Sequence, residues 1–533
     1  MDNYLIVPAN FDAEKLLNEH KPEGYKHKIT PFYLNFIISS ICCQLHKEYL
    51  RDKQRNLHGL VALKAAYLQN VIHHNYQSCI LYLQQQGIIE VSRQYKKNVH
   101  SRMYRLEDQY TFSNVKTIQI SNKQMSRLKR CFSNKAEKEI NEIDNRRQHL
   151  FKFFNDGKLS IRYREALIWI ELAEHKELME FDEKRHRQKR DNEKQLSVLR
   201  MKWQVQRNLI QLINEGKFFN IHSDIFGYRF HSPLTYMKSE LRGFLLYDNN
   251  ELVSCDIKNS QPFCSLVFLK PAFWGLHNQQ RPEGISNVSS LIGLQDSLIP
   301  FMMNCYKQLL TSIMMENYSE THACIELQKS NYIQDVTSGR IYEETMAALN
   351  ITAKFDEEWK RKRKAIKKQV LVFLNEHPSK GEFPDDDNDF IQPSKIRKVF
   401  ENKYGILVEL FDAIKSYMTG NKKFYKVKRT SDLYFSEDFV YDKAIYVDTG
   451  FTMLARLLQR IESFLVLDVI CKELSQEEPE MPLFTVHDCI STTEPFLHIL
   501  NDKILSIFKD YIGYVPKVEV EYWKAISPIY IKI

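Results

Sequence analysis

The chain has 533 residues, of which 43% are hydrophobic and 27% are charged, and its formal net charge is +8. This length predicts two to four structural units with a sizeable core. No run approaches the ~18 continuous apolar residues of a membrane helix, and the first residues lack the regions of a signal peptide, so we expect a cytoplasmic protein with no membrane partner. The excess of positive charge favours an anionic partner, although many soluble proteins are equally basic.

Residues 1–120 carry the pattern of a small winged-helix-like domain. Apolar residues recur at helical spacing over 60–68 and 76–83, and two alternating segments follow on either side of a basic turn that contains Lys96 and Lys97. Two helices followed by a two-stranded ribbon are typical of a winged helix, and lysines on such a ribbon suit contact with nucleic-acid phosphates. A solvated hairpin in a protein-binding winged helix is the alternative.

Residues 121–215 are rich in Glu, Lys, Arg and Gln, with apolar residues at intervals. This pattern predicts a helical region of two or three long helices. Its densest charge run, residues 180–194, is typical of a solvated helix face. Farther along, residues 271–440 are also predicted to be mostly helical.

Two aspartates stand out by their position in the chain. Asp256 lies at the end of the apolar strand-like segment 252–257, and Asp488 lies in a turn between strand-like segments within 481–494. Phosphoryl transfer uses divalent cations that bind carboxylate oxygens on rigid elements, together with substrate phosphates and water. A single Asp at a strand end is more often a cap or a turn residue, so the flanking segments decide the interpretation.

Four segments accompany these aspartates in a fixed order. A Gly-x-Arg element, a Pro-containing loop and a further Arg precede Asp256, and a Val-His-Asp sequence includes Asp488. Between them lie an Arg-x-x-x-Lys pair, whose i, i+4 spacing puts both cations on one helix face, and an amphipathic helix over 451–474. The residues that carry these patterns are Gly227, Arg229, Pro233, Arg242, Asp256, Arg363, Lys367, Gln459, His487 and Asp488.

This order resembles the polymerase module of family A DNA polymerases and of single-subunit phage-type RNA polymerases. The segments match its motif A, its motif B, the palm helix before motif C, and motif C. The resemblance implies an α+β fold of the right-hand type with palm, fingers and helical thumb. After the N-terminal domain, the implied units are a thumb-like region at 121–215, palm with motif A at 216–270, fingers with motif B at 271–440 and palm with motif C at 441–533.

The resemblance also implies a role for each matching residue. Asp256, Asp488 and the backbone carbonyl of Ile257 would bind two Mg²⁺ ions, for which Mn²⁺ can substitute. Arg363 and Lys367 would contact the incoming nucleoside triphosphate. Contacts with the primer-template would come from Arg229, Arg242, Gln459 and His487.

The sequence departs from the family pattern near each motif. Motif B lacks the usual Tyr-Gly ending, and Phe373 or a neighbouring aromatic residue could replace the stacking tyrosine. The residue after the motif C aspartate is Cys489, where many DNA polymerases have Glu. Five residues after Asp256 stands Gln261, which is long enough to exclude a 2′-hydroxyl and so favours deoxynucleotides, with Asn259 as the alternative residue under the sugar.

We therefore expect a template-directed nucleotidyltransferase that extends a primer on a nucleic acid template, with DNA favoured for both. Residues 1–120 contain no early Asp-x-Glu with further Asp partners in suitable strands, as a proofreading exonuclease would have. We therefore expect a DNA polymerase without proofreading, belonging to a plasmid, phage or other mobile element. A single-subunit RNA polymerase or primase-like enzyme is the first alternative. A non-catalytic replication initiator, in which the winged helix is the working part, is the second.

Overall fold

The computed structural model shows a mixed α+β protein in which helices surround a half-barrel sheet. The residues it describes are 4–51, 59–63, 65–92, 102–131, 135–187, 193–218, 221–270, 273, 320–375, 393–420 and 450–525. Lys96 and Lys97 of the predicted wing lie outside these ranges, as does part of the region predicted as fingers. Within the described ranges, every helix is too short or too polar to cross a lipid bilayer.

The N-terminal unit combines helices with short antiparallel strands. Its elements are β1 (Tyr4–Pro8), α1 (Ala13–Glu19), α2 (Pro31–Arg51), β2 (Val61–Ala62), α3 (Ala65–Ile72), α4 (Tyr76–Gln85), β3 (Ile89–Val91), β4 (Met103–Leu106), α5 (Asp108–Thr111) and β5 (Val115–Gln119). Strands β2, β4 and β3 form one sheet in that order. The start of the helix predicted over 60–68 is wrong, because Val61 pairs with Tyr104 in this sheet and the helix begins only at Ala65.

Strands β1 and β5 form a separate two-stranded sheet that lies between two hydrophobic cores. Successive side chains on a strand point to opposite faces of a sheet. Leu5 and Val7 of β1 therefore pack in the core of the N-terminal unit, whereas Ile6 packs in the large core of the remaining chain together with Val115 of β5.

The described part of residues 121–215 forms five helices and one strand, so the prediction of two or three helices is wrong. The elements are α6 (Asn122–Cys131), α7 (Lys135–Arg146), α8 (Gln148–Asn155), β6 (Leu159–Ile161), α9 (Tyr163–Arg187) and α10 (Glu193–Asn214). Gly157, with φ of 76°, turns the chain from α8 into β6, a conformation that favours glycine. Helices α9 and α10 pack together, and the indole nitrogen of Trp203 donates a hydrogen bond to Glu177 at 2.9 Å.

Residues 222–264 lead into and out of the strand that carries Asp256. Their elements are β7 (His222–Ser223), β8 (Phe230–His231), α11 (Pro233–Tyr236), α12 (Ser239–Arg242), β9 (Leu245–Tyr247), β10 (Asn250–Ile257) and α13 (Ser260–Cys264). Strand β10 is buried from Leu252 to Cys255, as expected for a central strand covered on both faces. Asp256 is the first residue of β10 after this buried run and is partly exposed.

The described helices beyond residue 320 form a second layer on the large core. They are α14 (Glu320–Thr337), α15 (Ile341–Ala348), α16 (Asp356–Asn375), α17 (Pro393–Gly420), α18 (Gly450–Ser463) and α19 (Cys471–Glu477). Residues Phe464–Ile470 form a π-helix that joins α18 to α19 without a break. The helix predicted over 451–474 is therefore present, although its second half has the wider π geometry that often occurs near functional sites.

The C-terminal residues complete the main sheet. They form β11 (Phe484–Val486), β12 (Cys489–Thr493), α20 (Leu497–Ile512) and β13 (Val518–Tyr522). The strand order is β11-β12-β10-β9-β6, and β13 pairs with the other side of β10. Strand β10 thus lies between two strands that are more than 200 residues away in sequence.

Candidate active site

Strand pairing brings the two predicted catalytic aspartates, Asp256 and Asp488, together at one end of the strands in the main sheet. We call this end of the sheet the aspartate edge. Asp256 of β10 pairs directly with Cys489, the residue that follows Asp488. Val486 also pairs with Cys489, so His487 and Asp488 form a two-residue hairpin turn in which His487 has φ of 59°. Tight hairpins of this kind require positive φ at a central residue, and this turn places Asp488 beside the end of β10.

Negative charge accumulates at this edge. The pKa of Asp488 is raised to about 7, first by burial and then by the charges of Glu462 and Asp256, while the charge of Arg229 opposes the shift. Asp256 is less enclosed, since 35% of its side chain is exposed. An edge with several carboxylates and partial solvent access is electrostatically suited to a cation.

Glu519, which sequence reasoning did not identify as a site residue, lies next to Asp256 on the neighbouring strand. The two residues are direct partners in the pairing of β10 with β13. The ammonium group of Lys258 contacts both carboxylates and lies 3.3 Å from Asp256 Oδ2. The alternating segment 517–523 predicts a strand, but only the pairing register shows which of its glutamates is opposite Asp256.

Glu462 is a second residue that sequence reasoning missed. Its side chain is only 2% exposed. Arg229 donates two hydrogen bonds to Glu462 Oε1, from Nε at 3.1 Å and from Nη2 at 2.7 Å, and the Ser260 hydroxyl donates to Oε2 at 2.7 Å. Glu462 therefore connects α18, the Gly-x-Arg element and the helix that follows motif A.

The turn between β7 and β8 has a geometry that explains its Gly-x-Arg sequence. Asp224 accepts hydrogen bonds from the backbone nitrogens of Gly227 at 2.7 Å and Arg229 at 3.2 Å. A Cβ atom on Gly227 would lie 2.5 Å from Gln459 Oε1 and 3.0 Å from Gln459 Cβ. Gln459 thus packs directly on the glycine, and a larger residue at this position would displace the Gln459 side chain.

Helix α18 also holds this turn through polar contacts. Arg460 donates to the carbonyl oxygens of Phe226 at 3.0 Å and Ile225 at 2.7 Å, and Ser463 donates to the carbonyl of Gly227 at 2.8 Å. The backbone of the turn is therefore fixed by the same helix that supplies Glu462. Arg229 reaches the aspartate edge from this fixed support.

His487 and Arg242, both predicted to contact nucleic acid, lie close to the aspartate edge. Burial lowers the pKa of His487 to about 3, and the charges of Arg229 and His231 contribute, so its ring is neutral near pH 7. Burial also lowers the pKa of Arg242, whose Nη2 donates to the carbonyl of Met237 at 3.3 Å. Their nucleic-acid contacts remain predictions.

The two predicted triphosphate contacts have different surroundings. Arg363 pairs with Glu343 at 2.5 Å and lies 5.4 Å from the ring centre of Tyr342. Burial raises the pKa of Tyr342, Arg363 opposes this, and the charge of Asp488 adds to it, so this part of α15 is within electrostatic reach of the aspartate edge. Lys367, one turn further along α16, is exposed.

Phe373 lies in the core rather than at an open surface. Its ring is 7% exposed, packs 4.7 Å from the ring of Phe400, and has the Lys415 ammonium 5.1 Å from its centre. A ring buried between α16 and α17 cannot stack on a nucleotide without leaving the core. The structure therefore does not support the stacking role predicted for Phe373.

The two residues proposed to lie under the sugar both carry amide atoms without partners. Asn259 is 8% exposed, has φ of 53°, and neither of its side-chain polar atoms bonds to another described residue. The buried Oε1 of Gln261 likewise has no partner among the described residues. Because buried amides normally form hydrogen bonds, both side chains stay candidates for a ligand contact.

Comparison with protein-family models and with curated proteins gives no match. Within the described residues, no group of three or more His, Cys, Asp or Glu side chains is arranged to hold a metal ion by itself. The interpretation of the aspartate edge therefore depends on its own residues, their positions in the sheet and the motif resemblance.

Proposed function

We propose that this chain is a template-directed nucleotidyltransferase, and specifically a DNA polymerase without proofreading, with its active site at the aspartate edge. The observation that carries the proposal is the pairing of Asp256 with Cys489, which puts Asp488 beside the end of β10. Two motifs separated by more than 200 residues meet there, which supports the role that the motif resemblance implies for their aspartates.

The residues at this edge fit magnesium. Magnesium prefers hard oxygen ligands and is usually held by one or two carboxylates together with substrate phosphates and water. Asp256 and Asp488, with the carbonyl of Ile257, would hold it, and Mn²⁺ can substitute. The raised pKa of Asp488, caused first by burial and then by Glu462 and Asp256, reflects negative charge that a divalent cation would neutralise. When bound, such ions activate the attacking hydroxyl and stabilise the leaving pyrophosphate.

The protein side chains supply orientation and positive charge. Arg229, held by Glu462, would orient the primer end, and Arg363 and Lys367 would neutralise charge on the triphosphate. In the described conformation Arg363 pairs with Glu343, so contact with a nucleotide requires it to exchange this partner. Gln261 would lie under the sugar and favour deoxynucleotides.

We also propose that the N-terminal unit is a winged helix that recruits nucleic acid or a partner. Its support is the order helix α2, strand β2, helices α3 and α4, strands β3 and β4, with the strands arranged β2-β4-β3. Changing Lys96 and Lys97 together to Gln tests it. If the lysines contact phosphate, template binding weakens and its dependence on salt concentration becomes less steep; unchanged binding would contradict a nucleic-acid role for them.

A metal-dependent primer-extension assay tests the main proposal. Deoxynucleotides and ribonucleotides are each offered on primed DNA and RNA templates. Asp256→Asn and Asp488→Asn should abolish incorporation, and Asp248→Asn, an exposed position in the turn before β10, should not. Activity that survives either of the first two changes would contradict the assignment, and a wild-type preference for ribonucleotides would favour the RNA polymerase alternative.

A further inference from the structure

Glu462 is a buried carboxylate beside the site that contains Asp256 and Asp488. Its side chain is 2% exposed, and its charge is one cause of the raised pKa of Asp488. Burying a charged group is costly unless it is paired and hydrogen-bonded, and buried ion pairs seldom stabilise a fold more than apolar residues of similar size do. Stability alone therefore does not account for an acid at this position.

Arg229 is held by one edge of its guanidinium group. Nε and Nη2 both donate to Glu462 Oε1, whereas Nη1 makes no hydrogen bond to another described residue. The side chain is 19% exposed, and its charge acts on Asp488. Nε and Nη2 are thus fixed by Glu462, and Nη1 remains able to donate a hydrogen bond to a ligand near the aspartates.

The second oxygen of Glu462 extends this connection to motif A. Ser260 donates to Oε2 at 2.7 Å and is the first residue of α13, four residues after Asp256. The fixed turn of Arg229 and the segment that follows Asp256 therefore share one carboxylate as acceptor. Glu462 therefore joins the two segments through hydrogen bonds.

We propose that Glu462 is a positioning residue that presents Arg229 to the base pair at the primer end. This inference rests on the proposed polymerase function. In the minor groove, purine N3 and pyrimidine O2 are acceptors in every Watson–Crick pair. An arginine donor in a fixed position can therefore bond to any correctly paired base without distinguishing one sequence from another. A mismatch moves these acceptors, and the donor loses its bond. Glu462 thereby contributes to the preference for extending a correctly paired primer.

Asp468 offers a matched control on the same continuous helix. It also forms a buried pair with an arginine, since Arg147 donates to it from Nε at 2.9 Å and from Nη2 at 2.7 Å. Arg147 in turn donates to Ser223 Oγ at 3.0 Å, on the same β7–β8 hairpin. Arg147 also donates to the carbonyl of Tyr228, the residue before Arg229. Asp468→Asn therefore disturbs a similar buried pair on the same support but removes no hydrogen-bonding group of Arg229 or Glu462.

The experiment compares Glu462→Gln, Ser260→Ala and Asp468→Asn in the full-length protein. The first readout is the ratio of kcat/KM for primers with matched and mismatched ends, and the second is the fluorescence of 2-aminopurine at the primer terminus without nucleotide. We expect Glu462→Gln to reduce the matched-to-mismatched ratio by about 10- to 100-fold, as misplacement of a reacting group by ~1 Å can do, and to change the fluorescence. Ser260→Ala should act in the same direction but more weakly, and Asp468→Asn should lower Tm without changing the ratio.

Two outcomes would overturn the positioning role. One is an unchanged ratio in folded Glu462→Gln and Ser260→Ala, and the other is an equal change in Asp468→Asn, which would mean that any damage to the hairpin support has this effect. If the wild type neither binds primer-template nor extends a matched primer, the proposed function itself fails, and the inference fails with it.

Discussion

Arg147 and Asp468 form a buried two-point ion pair that joins the start of α8 to the π-helix, with Nε–Oδ1 and Nη2–Oδ2 distances of 2.9 and 2.7 Å. Removing one partner leaves an unpaired charge in the core. Arg147→Met should therefore lower the free energy of unfolding by about 3–5 kcal/mol, measured by urea denaturation. The double variant Arg147→Met/Asp468→Leu should recover much of this loss. A single variant as stable as the wild type would contradict the pairing.

The ammonium group of Lys258 lies where it competes with a metal ion for Asp256. Lys258→Met should tighten Mn²⁺ binding, because a positive charge beside the carboxylate is lost. Glu519→Gln should weaken binding, because Lys258 then pairs with Asp256 alone and one negative charge is lost. Titration of Mn²⁺ followed by electron paramagnetic resonance measures both, with the exposed Lys524→Met as a control. Changes of the same sign in Lys258→Met and Glu519→Gln would contradict the competition.

The contact between Gly227 and Gln459 predicts that substitutions at these two residues have coupled effects on stability. Gly227→Ala should destabilise the protein by about 1–3 kcal/mol, the usual cost of overpacking a filled site. Gln459→Ala removes the nearest clashing atom, Oε1, but keeps the Cβ at 3.0 Å from the new methyl group. The double variant should therefore be partly rescued, which a double-mutant cycle detects as a coupling energy. If the destabilisation of the double variant equals the sum for the two single variants, the two residues are not in contact in solution.

Asp144 makes stability depend on pH. Burial raises the pKa of Asp144 to about 6, while its hydrogen bonds with Ser223 and the charge of Arg147 oppose the shift. The pKa of Asp144 is higher in the folded than in the unfolded protein. The contribution of Asp144 to stability is therefore full below pH ~4 and is lost as pH rises through about 6. Asp144→Asn keeps an acceptor for the backbone nitrogen of Ser223 and should remove this dependence. Urea unfolding from pH 4 to 7 measures it, and parallel curves for both proteins would contradict the shift.

The positions of Asp256 and Asp488 could be predicted from sequence because local patterns define them. An apolar run marks β10, and two strand-like segments bracket the turn at Asp488. The pairing register could not be predicted, since it depends on contacts between segments more than 200 residues apart. Glu519 therefore becomes a site residue only when β13 is placed beside β10.

Glu462 shows a different limit of sequence reasoning. It lies three residues after Gln459 on an amphipathic helix, where an acidic residue normally indicates the solvent face. It is buried because Arg229 and Ser260, both distant in sequence, supply its hydrogen bonds. Phe373 shows the converse, because its place near a motif position predicts a stacking role, whereas its ring packs between two helices.

Helix α10 belongs to both hydrophobic cores, since Met201 and Val205 pack with the N-terminal unit whereas Trp203 and Leu209 pack with the large core. Strand β1 is divided between them in the same way. The N-terminal unit is therefore not an independent domain that recombination could exchange intact. A protein that acquired or lost it would also have to change the apolar residues of α10, so the two parts of this chain are expected to evolve together.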